Sequence, residues 1–146
     1  MEIIVAFFGH REIYETERVC AWVDNMVEKL VVHKPLIFFH GGYGTFDHIA
    51  EHILWRKKEK YSHIRSCLIS AYPNVSKDHP LCDEIIYPGL ESVPQRYAIT
   101  YRNRYMAEQA DIILAYQTHA WGGASAAISY ARKLQKTVIV FPDTIP

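Results

Sequence analysis

Apolar residues in this chain fall into short unbroken runs and, between them, into longer stretches where they recur at helical spacing. Ile3 to Phe8 is β-branched and aromatic and stops at Gly9, which predicts a buried strand whose C-terminal end delivers His10 and Arg11. From about Glu15, Val19, Trp22, Val23, Met26 and Leu30 share one helical face while Glu17, Arg18, Asp24 and Lys29 take the other, and Pro35 ends the segment. Leu36-Ile37-Phe38-Phe39 is then apolar at every position, as in a strand covered on both faces, and it breaks into Gly41, Gly42 and Gly44. Phe46, Ile49, Ala50 and Ile53 form the stripe of the helix that follows, which ends in solvated charge from Arg56 to Lys60.

A third strand is expected at Ile64 to Ala71. Between Tyr72 and Ala98 the periodicity fails around Pro73, Pro80, Pro88 and Pro94, with one short strand expected at Glu84 to Tyr87; an irregular connection of that length suits a lid or binding loop. Regular patterning then returns as a helix through Tyr101 to Met106, a strand at Ile112 to Tyr116, the turn Trp121-Gly122-Gly123, a helix carrying Ala124, Ala127, Ile128, Ala131 and Leu134, and a last strand at Thr137 to Phe141. Alternation of strand and helix calls for an α/β domain of three layers with a mostly parallel sheet, and such sheets bind ligands beyond the C-terminal ends of their strands.

Composition narrows this picture. The chain of 146 residues is 49% hydrophobic, enough for one domain with a full core, so residues 1–146 are read as a single ligand-binding unit. Basic and acidic residues number 16 each, the formal charge is zero and there is no long basic run, a balance that argues against nucleic acid as a partner. Cys20, Cys67 and Cys82 are widely spaced and odd in number, as expected of small buried hydrophobes in a reducing compartment. The apolar N-terminus starts with Glu2 and lacks a basic lead-in, unlike a signal peptide, and no apolar run approaches the roughly 20 residues of a membrane span. A cytoplasmic protein with no membrane partner is expected.

Four strand ends bring Gly9-His10-Arg11, Gly41 to Asp47, the residues after Tyr72, and Thr118 to Ser125 to one rim. Glycine turns there present backbone N–H donors, and Arg11 or Arg102 offers a planar fork for phosphate. GGYGT matches neither the dinucleotide fingerprint nor the P-loop, and tight turns alone would also account for its glycines. Asp47 stands where it can accept ribose hydroxyls or cap the helix. His10 and His40 sit at strand ends, as ligand contacts or as core-edge histidines bonded to backbone. His48-Ile49-Ala50-Glu51-His52 has the HxxEH spacing of an inverted zinc-peptidase motif, but His48 and His52 lie nearly opposite the apolar stripe and face water, and no third ligand has a recognisable spacing. No metal and no resident cofactor is expected. Trp55 shares that outer face and hints at a partner surface, while Asp111, at a helix-to-strand junction, suits a structural role.

FFGHR at 7–11, GGYGTFDHIAE at 41–51, YRNRYMAEQADIILAY at 101–116 and GGASAAISYARK at 122–133 together resemble the SLOG superfamily, which includes the Lonely Guy phosphoribohydrolases and the DNA-processing protein A family. The resemblance covers nearly the whole chain outside residues 72–98. It implies a Rossmann-like fold, recognition of nucleotides or of NAD- and ADP-ribose-derived small molecules, and assembly as a homodimer. Lonely Guy enzymes carry an arginine that Arg102 matches, then PGGxGTxxE with an essential glutamate; the stretch here runs Trp121-Gly122-Gly123-Ala124-Ser125-Ala126-Ala127-Ile128, with Ile128 at the glutamate position. An aliphatic side chain neither moves a proton nor stabilises an oxocarbenium charge. Glu91, Glu108 or Asp47 would have to substitute. The expectation is therefore a sensor or sequestering module whose ligand is held by Gly9, His10, Arg11, Gly41, Gly42, Gly44, Thr45, Asp47, Arg102, Asn103, Gly122, Gly123 and Ser125, with no catalytic residue assigned; the alternative is a nucleotide N-glycosidase or deoxyribosyltransferase-like enzyme.

Overall fold

A computed structural model describes residues 2–74 and 81–145. The chain alternates as the patterning requires: β1 (Ile3–Gly9), α1 (Thr16–Leu30), β2 (Leu36–His40), α2 (Gly44–Lys60), β3 (Ile64–Ile69), β4 (Glu84–Ile86), α3 (Ala98–Gln109), β5 (Ile112–Tyr116), α4 (Gly123–Lys133) and β6 (Thr137–Val140). The six strands form one sheet in the order β4-β3-β2-β1-β5-β6, and every pairing is parallel, so the sheet is fully rather than mostly parallel.

Side chains alternate across each strand, and in β1 both alternating sets are apolar. Val5 and Phe7 enter a core with Val19, Trp22, Met26, Phe38, Phe46 and Leu54, which α1 and α2 cover. Ala6 and Phe8 enter a second core with Phe39, Met106, Ile113, Ala127 and Ile128, which α3 and α4 cover. A strand that is apolar on both faces can only be satisfied between two helical layers, which is why the unbroken runs specify a parallel sheet. Asp111 ties the layers at one corner: its carboxylate accepts the Ile4 N–H at 2.9 Å and its own N–H donates to the Ile4 carbonyl at 2.7 Å.

Two boundaries differ from the sequence reading for local reasons. β3 ends at Ile69 because the Ser70 hydroxyl donates to the Tyr72 carbonyl at 2.6 Å and accepts the Tyr72 N–H at 3.2 Å, turning the chain before Ala71. α3 starts three residues earlier than Tyr101, at Ala98, because a single 3-10 turn at Gln95–Tyr97 leads directly into it. Within the 72–98 connection, residues 75–80, including Pro80, lie outside the described residues. Among the described residues, no helix is long and apolar enough to cross a membrane, and Cys20 and Cys67 are free thiols.

β1 ends under the first turn of α2. A Cβ on Gly9 would meet Cγ of Phe46 at 2.3 Å, inside van der Waals contact with a fully buried ring. Gly9→Ala is expected to destabilise the fold by about 1–3 kcal/mol through overpacking, read as a lower midpoint in urea unfolding with an unchanged m-value.

Candidate functional site

The strand order reverses between β1 and β5, since the chain winds outward from β1 through β2, β3 and β4 and then returns to β5 on the other side. Open parallel sheets place their binding crevice at that point. Here it is a cavity of about 570 Å³. Gly9, His10, Arg11 and Glu12 form its β1 side, Thr118, His119 and Trp121 its β5 side, and Gly122, Gly123 and Ala124 the start of α4; Ile99, Arg102, Asn103 and Met106 of α3 close it opposite, with Gly41, Tyr43 and Asp47 beneath.

The N-terminus of α4 is the open donor end. Gly122 has φ +95°, a conformation other residues rarely adopt, and no side chain caps the helix. The first intrahelical bond runs from the Ala126 N–H to the Gly122 carbonyl at 3.0 Å, so the amides of Gly123, Ala124 and Ser125 precede the helical ladder, where an anion is favoured. A Cβ at Gly123 would meet nothing within 4 Å.

Three rings form a column beside it. His10 and His119 stack at 3.6 Å between centroids with planes 15° apart, and His119 and Trp121 at 3.7 Å and 17°. Tyr116 meets His10 edge-on at 6.2 Å, and the Ser125 hydroxyl donates to the His119 carbonyl at 2.7 Å, fixing the turn. Burial, and secondarily the His119 ring, hold His10 below the usual imidazole range, so its ring is neutral near pH 7. Among the described residues, the buried His10 Nε2 has no hydrogen-bond partner.

Below the column, Asp47 and Arg102 face each other across the cavity floor. Burial pushes the Asp47 carboxyl up to about 6, against the opposing pulls of the Tyr43 N–H, His40, Arg102 and the Gly41 N–H. Its Oδ2 accepts the Tyr43 N–H at 3.0 Å, which caps the start of α2. Arg102 is only 3% exposed. Its Nη1 donates to the carbonyls of Gly41 and Ile69, each at 2.9 Å, its Nε donates to Asn103 Oδ1 at 2.9 Å, and its guanidinium lies 5.5 Å from the centre of the Tyr43 ring. Much of the fork expected for phosphate is thus committed to the ends of β2 and β3.

No protein-family model matches the sequence, and no curated protein is detectably similar to it. Solved structures share its fold. DNA processing protein A from Streptococcus pneumoniae superposes with a TM-score of 0.69 at 17% identity over 98% of this chain and 51% of that one. The molybdenum cofactor carrier protein from Chlamydomonas reinhardtii gives 0.62 at 17% over 94% and 76%. DNA processing protein A from Helicobacter pylori, whose structure concerns its single-stranded DNA binding mode, gives 0.61 at 16% over 97% and 68%. The chain shares the Rossmann-like α/β fold of these proteins. It spans about half the length of the Streptococcus protein.

One expectation is corrected by this comparison. A formal charge of zero was taken to argue against nucleic acid as a partner, yet the fold is shared with a protein described by its single-stranded DNA binding. Net charge sums over the whole surface and is silent on local distribution. In the 3-10 turn before α3, Arg96 lies over the Tyr97 ring at 4.9 Å, and on α3 Arg104 lies over Tyr101 at 5.2 Å and over Tyr130 of α4 at 5.6 Å, local pairings of cations and aromatics that a neutral total does not register.

Of the expected site residues, the fold brings Gly9, His10, Arg11, Gly41, Asp47, Arg102, Asn103, Gly122 and Gly123 to the cavity wall. Gly42, Gly44, Thr45 and Ser125 are not on that wall. Thr45 donates its N–H to the Arg11 carbonyl at 3.0 Å, and a Cβ on Gly44 would meet the Arg11 Cα at 2.8 Å, so the α2 terminus is packed against the β1 exit. Ser125 acts on the wall from behind, through His119. Ile128 packs in the apolar core, and the nine-residue hydrolase motif counted from Trp121 in fact ends on the next residue, the exposed Ser129, so the expected glutamate position is corrected to Ser129, which is likewise no carboxylate. Among the described residues, neither Glu91 nor Glu108 lines the cavity, whereas Glu12 and Asp47 do. His119 and Trp121 went unselected in the sequence, although their place just beyond β5 was the available signal.

His40 is fully buried away from the cavity. Its Nδ1 lies 3.1 Å from Glu51 Oε1 and its Nε2 3.2 Å from Ser66 Oγ. The set has the composition of a nucleophile triad, but Ser66 is completely buried, so it serves as a polar clamp joining β2, β3 and α2. His48 and His52 are exposed while Glu51 points inward, which disperses the HxxEH pattern, and among the described residues no three His, Cys, Asp or Glu side chains are placed to hold a metal ion.

Because the Asp47 pKa is raised to about 6 from 3.8, the folded state binds the proton more tightly than the unfolded chain. That stabilisation is complete below the unfolded pKa and is lost as pH rises through about 6. Across pH 4 to 6.5 the melting temperature of wild type should therefore fall relative to that of Asp47→Asn, which has no proton to lose; parallel profiles by differential scanning calorimetry would remove Asp47 from this role.

Proposed function

We propose that this domain binds a nucleotide, or an NAD- or ADP-ribose-derived small molecule, in the cavity at the C-terminal rim of the sheet, as a sensor or sequestering module. The observation that carries this reading is the uncapped start of α4 opening into a crevice at the β1/β5 reversal. Amides there suit a phosphate, the ring column suits a base, and a volume of about 570 Å³ lies within the roughly 300–1,000 Å³ of small-molecule sites. Binding is favoured over cleavage because the ninth position of the hydrolase motif, counted from Trp121, is Ser129, an exposed hydroxyl on α4 that offers no carboxylate to the cavity.

Asp47 sustains a second reading. A buried carboxyl with a raised pKa on a cavity wall is the kind of group that exchanges protons near neutral pH. This supports the alternative of a nucleotide N-glycosidase or deoxyribosyltransferase-like enzyme, with Asp47 in place of the missing glutamate.

Binding to the native state must raise the melting temperature, by about 2.7 kcal/mol of added stability at a hundred times Kd, or about 2–4 °C per kcal/mol for a chain near this size. In a thermal-shift panel of adenine nucleotides, NAD, ADP-ribose and cyclic ADP-ribose, at least one should shift the transition. A flat response to all of them at millimolar concentration would defeat the reading. For the enzyme alternative, nucleoside monophosphates should release free base, detected chromatographically, and Asp47→Asn should reduce that release by at least about a hundredfold. Asp47 is the better probe than Arg102, whose removal would strand the Gly41 and Ile69 carbonyls and confuse chemistry with folding.

A further inference from the structure

The column His10–His119–Trp121 has one closed end and one open end. His10 is 9% exposed and braced by Tyr116, whereas Trp121 is 72% exposed and lies on the cavity wall. A large aromatic side chain normally repays burial. Here the indole instead stands at the mouth, held flat by a single imidazole on one face.

We infer that the open face of the Trp121 indole is the stacking site for a purine base, which makes it the specificity end of the cavity. This rests on the reading that the cavity takes a nucleotide-like ligand, and it goes further by assigning the base. The spacings of 3.6 and 3.7 Å are those of rings in face contact, so a fourth planar ring laid on Trp121 continues an existing column. The platform is already built: His10 leaves directly from the end of β1, and the Ser125 hydroxyl holds the His119 backbone. Little ordering remains to be done when the ligand arrives. Trp121 also immediately precedes Gly122 and Gly123, so one turn offers an aromatic face and helix amides side by side, matched to a base and a phosphate in one molecule. Indole and purine are both fused two-ring systems, and their overlap exceeds that of indole with a single pyrimidine ring. A cavity of about 570 Å³ is sized for a mononucleotide rather than for a continuous strand.

The test is calorimetric titration of the full chain with AMP, CMP and ribose 5-phosphate, using wild type, Trp121→Ala and Trp121→Phe. In wild type AMP should bind about tenfold or more tightly than ribose 5-phosphate, with CMP between them. Trp121→Ala should bring AMP down to the affinity of ribose 5-phosphate and leave the latter unchanged, and Trp121→Phe should recover most of the difference. Melting temperatures close to wild type, expected for so exposed a side chain, exclude misfolding as the cause. Equal affinity for AMP and ribose 5-phosphate in wild type, or an equal loss of both in Trp121→Ala, would overturn the stacking site while leaving the cavity's ligand class standing. Absence of binding by all of these compounds and by the NAD-derived panel would overturn both. A short oligodeoxyadenylate that binds where AMP does not would overturn the inference in favour of a nucleic-acid strand.

Discussion

The rim of this sheet depends on one buried cation. Arg102 reaches from α3 to the ends of two adjacent strands, where Nη1 is shared between the carbonyls of Gly41 and Ile69. Both carbonyls lie at strand termini, where the sheet ladder is running out, and without a donor they would be left buried and unsatisfied. Burial works against the charged guanidinium and lowers its pKa, while Asp47, Tyr43 and Tyr72 favour it. The Arg102 residue is thus a brace first, and the floor of the cavity takes its shape from that brace. Asn103 completes the arrangement by accepting from Nε, so two consecutive residues of α3 are fixed in orientation together.

With the floor held, the two glycine turns take different roles. The first, after β2, is filled by its own neighbours: Arg102 approaches Gly41, Leu68 approaches Gly42 and the Arg11 backbone approaches Gly44. Glycines are needed there because other segments occupy the space a side chain would take. The second, before α4, is open at Gly123 and uncapped. Two motifs of similar spelling are therefore opposite in function, one a packing junction and the other an anion-ready helix end.

Much of the fold was legible because the signal was redundant along each strand. Runs such as Val5-Ala6-Phe7-Phe8 are apolar on both faces, which only a sheet between helical layers satisfies, and the alternation of elements then left few topologies. The strand-end rule also located Gly9 to Arg11 and Gly122-Gly123 correctly on one cavity. What escaped was whatever depends on a third element. That the first glycine turn is filled follows from where Arg11 runs, which no local pattern within GGYGT encodes. The His40–Glu51–Ser66 clamp joins three segments through side chains that, read singly, look like surface chemistry. His119 acquires its place only because His10 and Trp121 close on it from both sides. The neutral charge total misled for a related reason, being a sum with no positions in it.

These features separate the cavity into a rigid interior and an adjustable mouth. Arg102, Asp47 and His10 are each buried and held by neighbours, so a ligand reaching them meets groups whose geometry is set in advance. Arg11, Trp121, Gly122 and Gly123 are exposed and border the same space. Selectivity from preorganised groups comes with little entropic cost, and Trp121, though exposed, shares it because its ring is already stacked on His119, whereas the exposed Arg11 side chain can still adapt to the bound molecule. Charge follows the same division. The buried Arg102 cation lies beside a carboxyl whose pKa is near 6, so the floor gains net positive character as pH falls toward that value, while the α4 amides at the mouth present positive character at any pH. An anionic group is therefore favoured most consistently at the second glycine turn, directly beside the Trp121 face, and the buried interior adds a fixed shape and fixed hydrogen-bonding groups behind it.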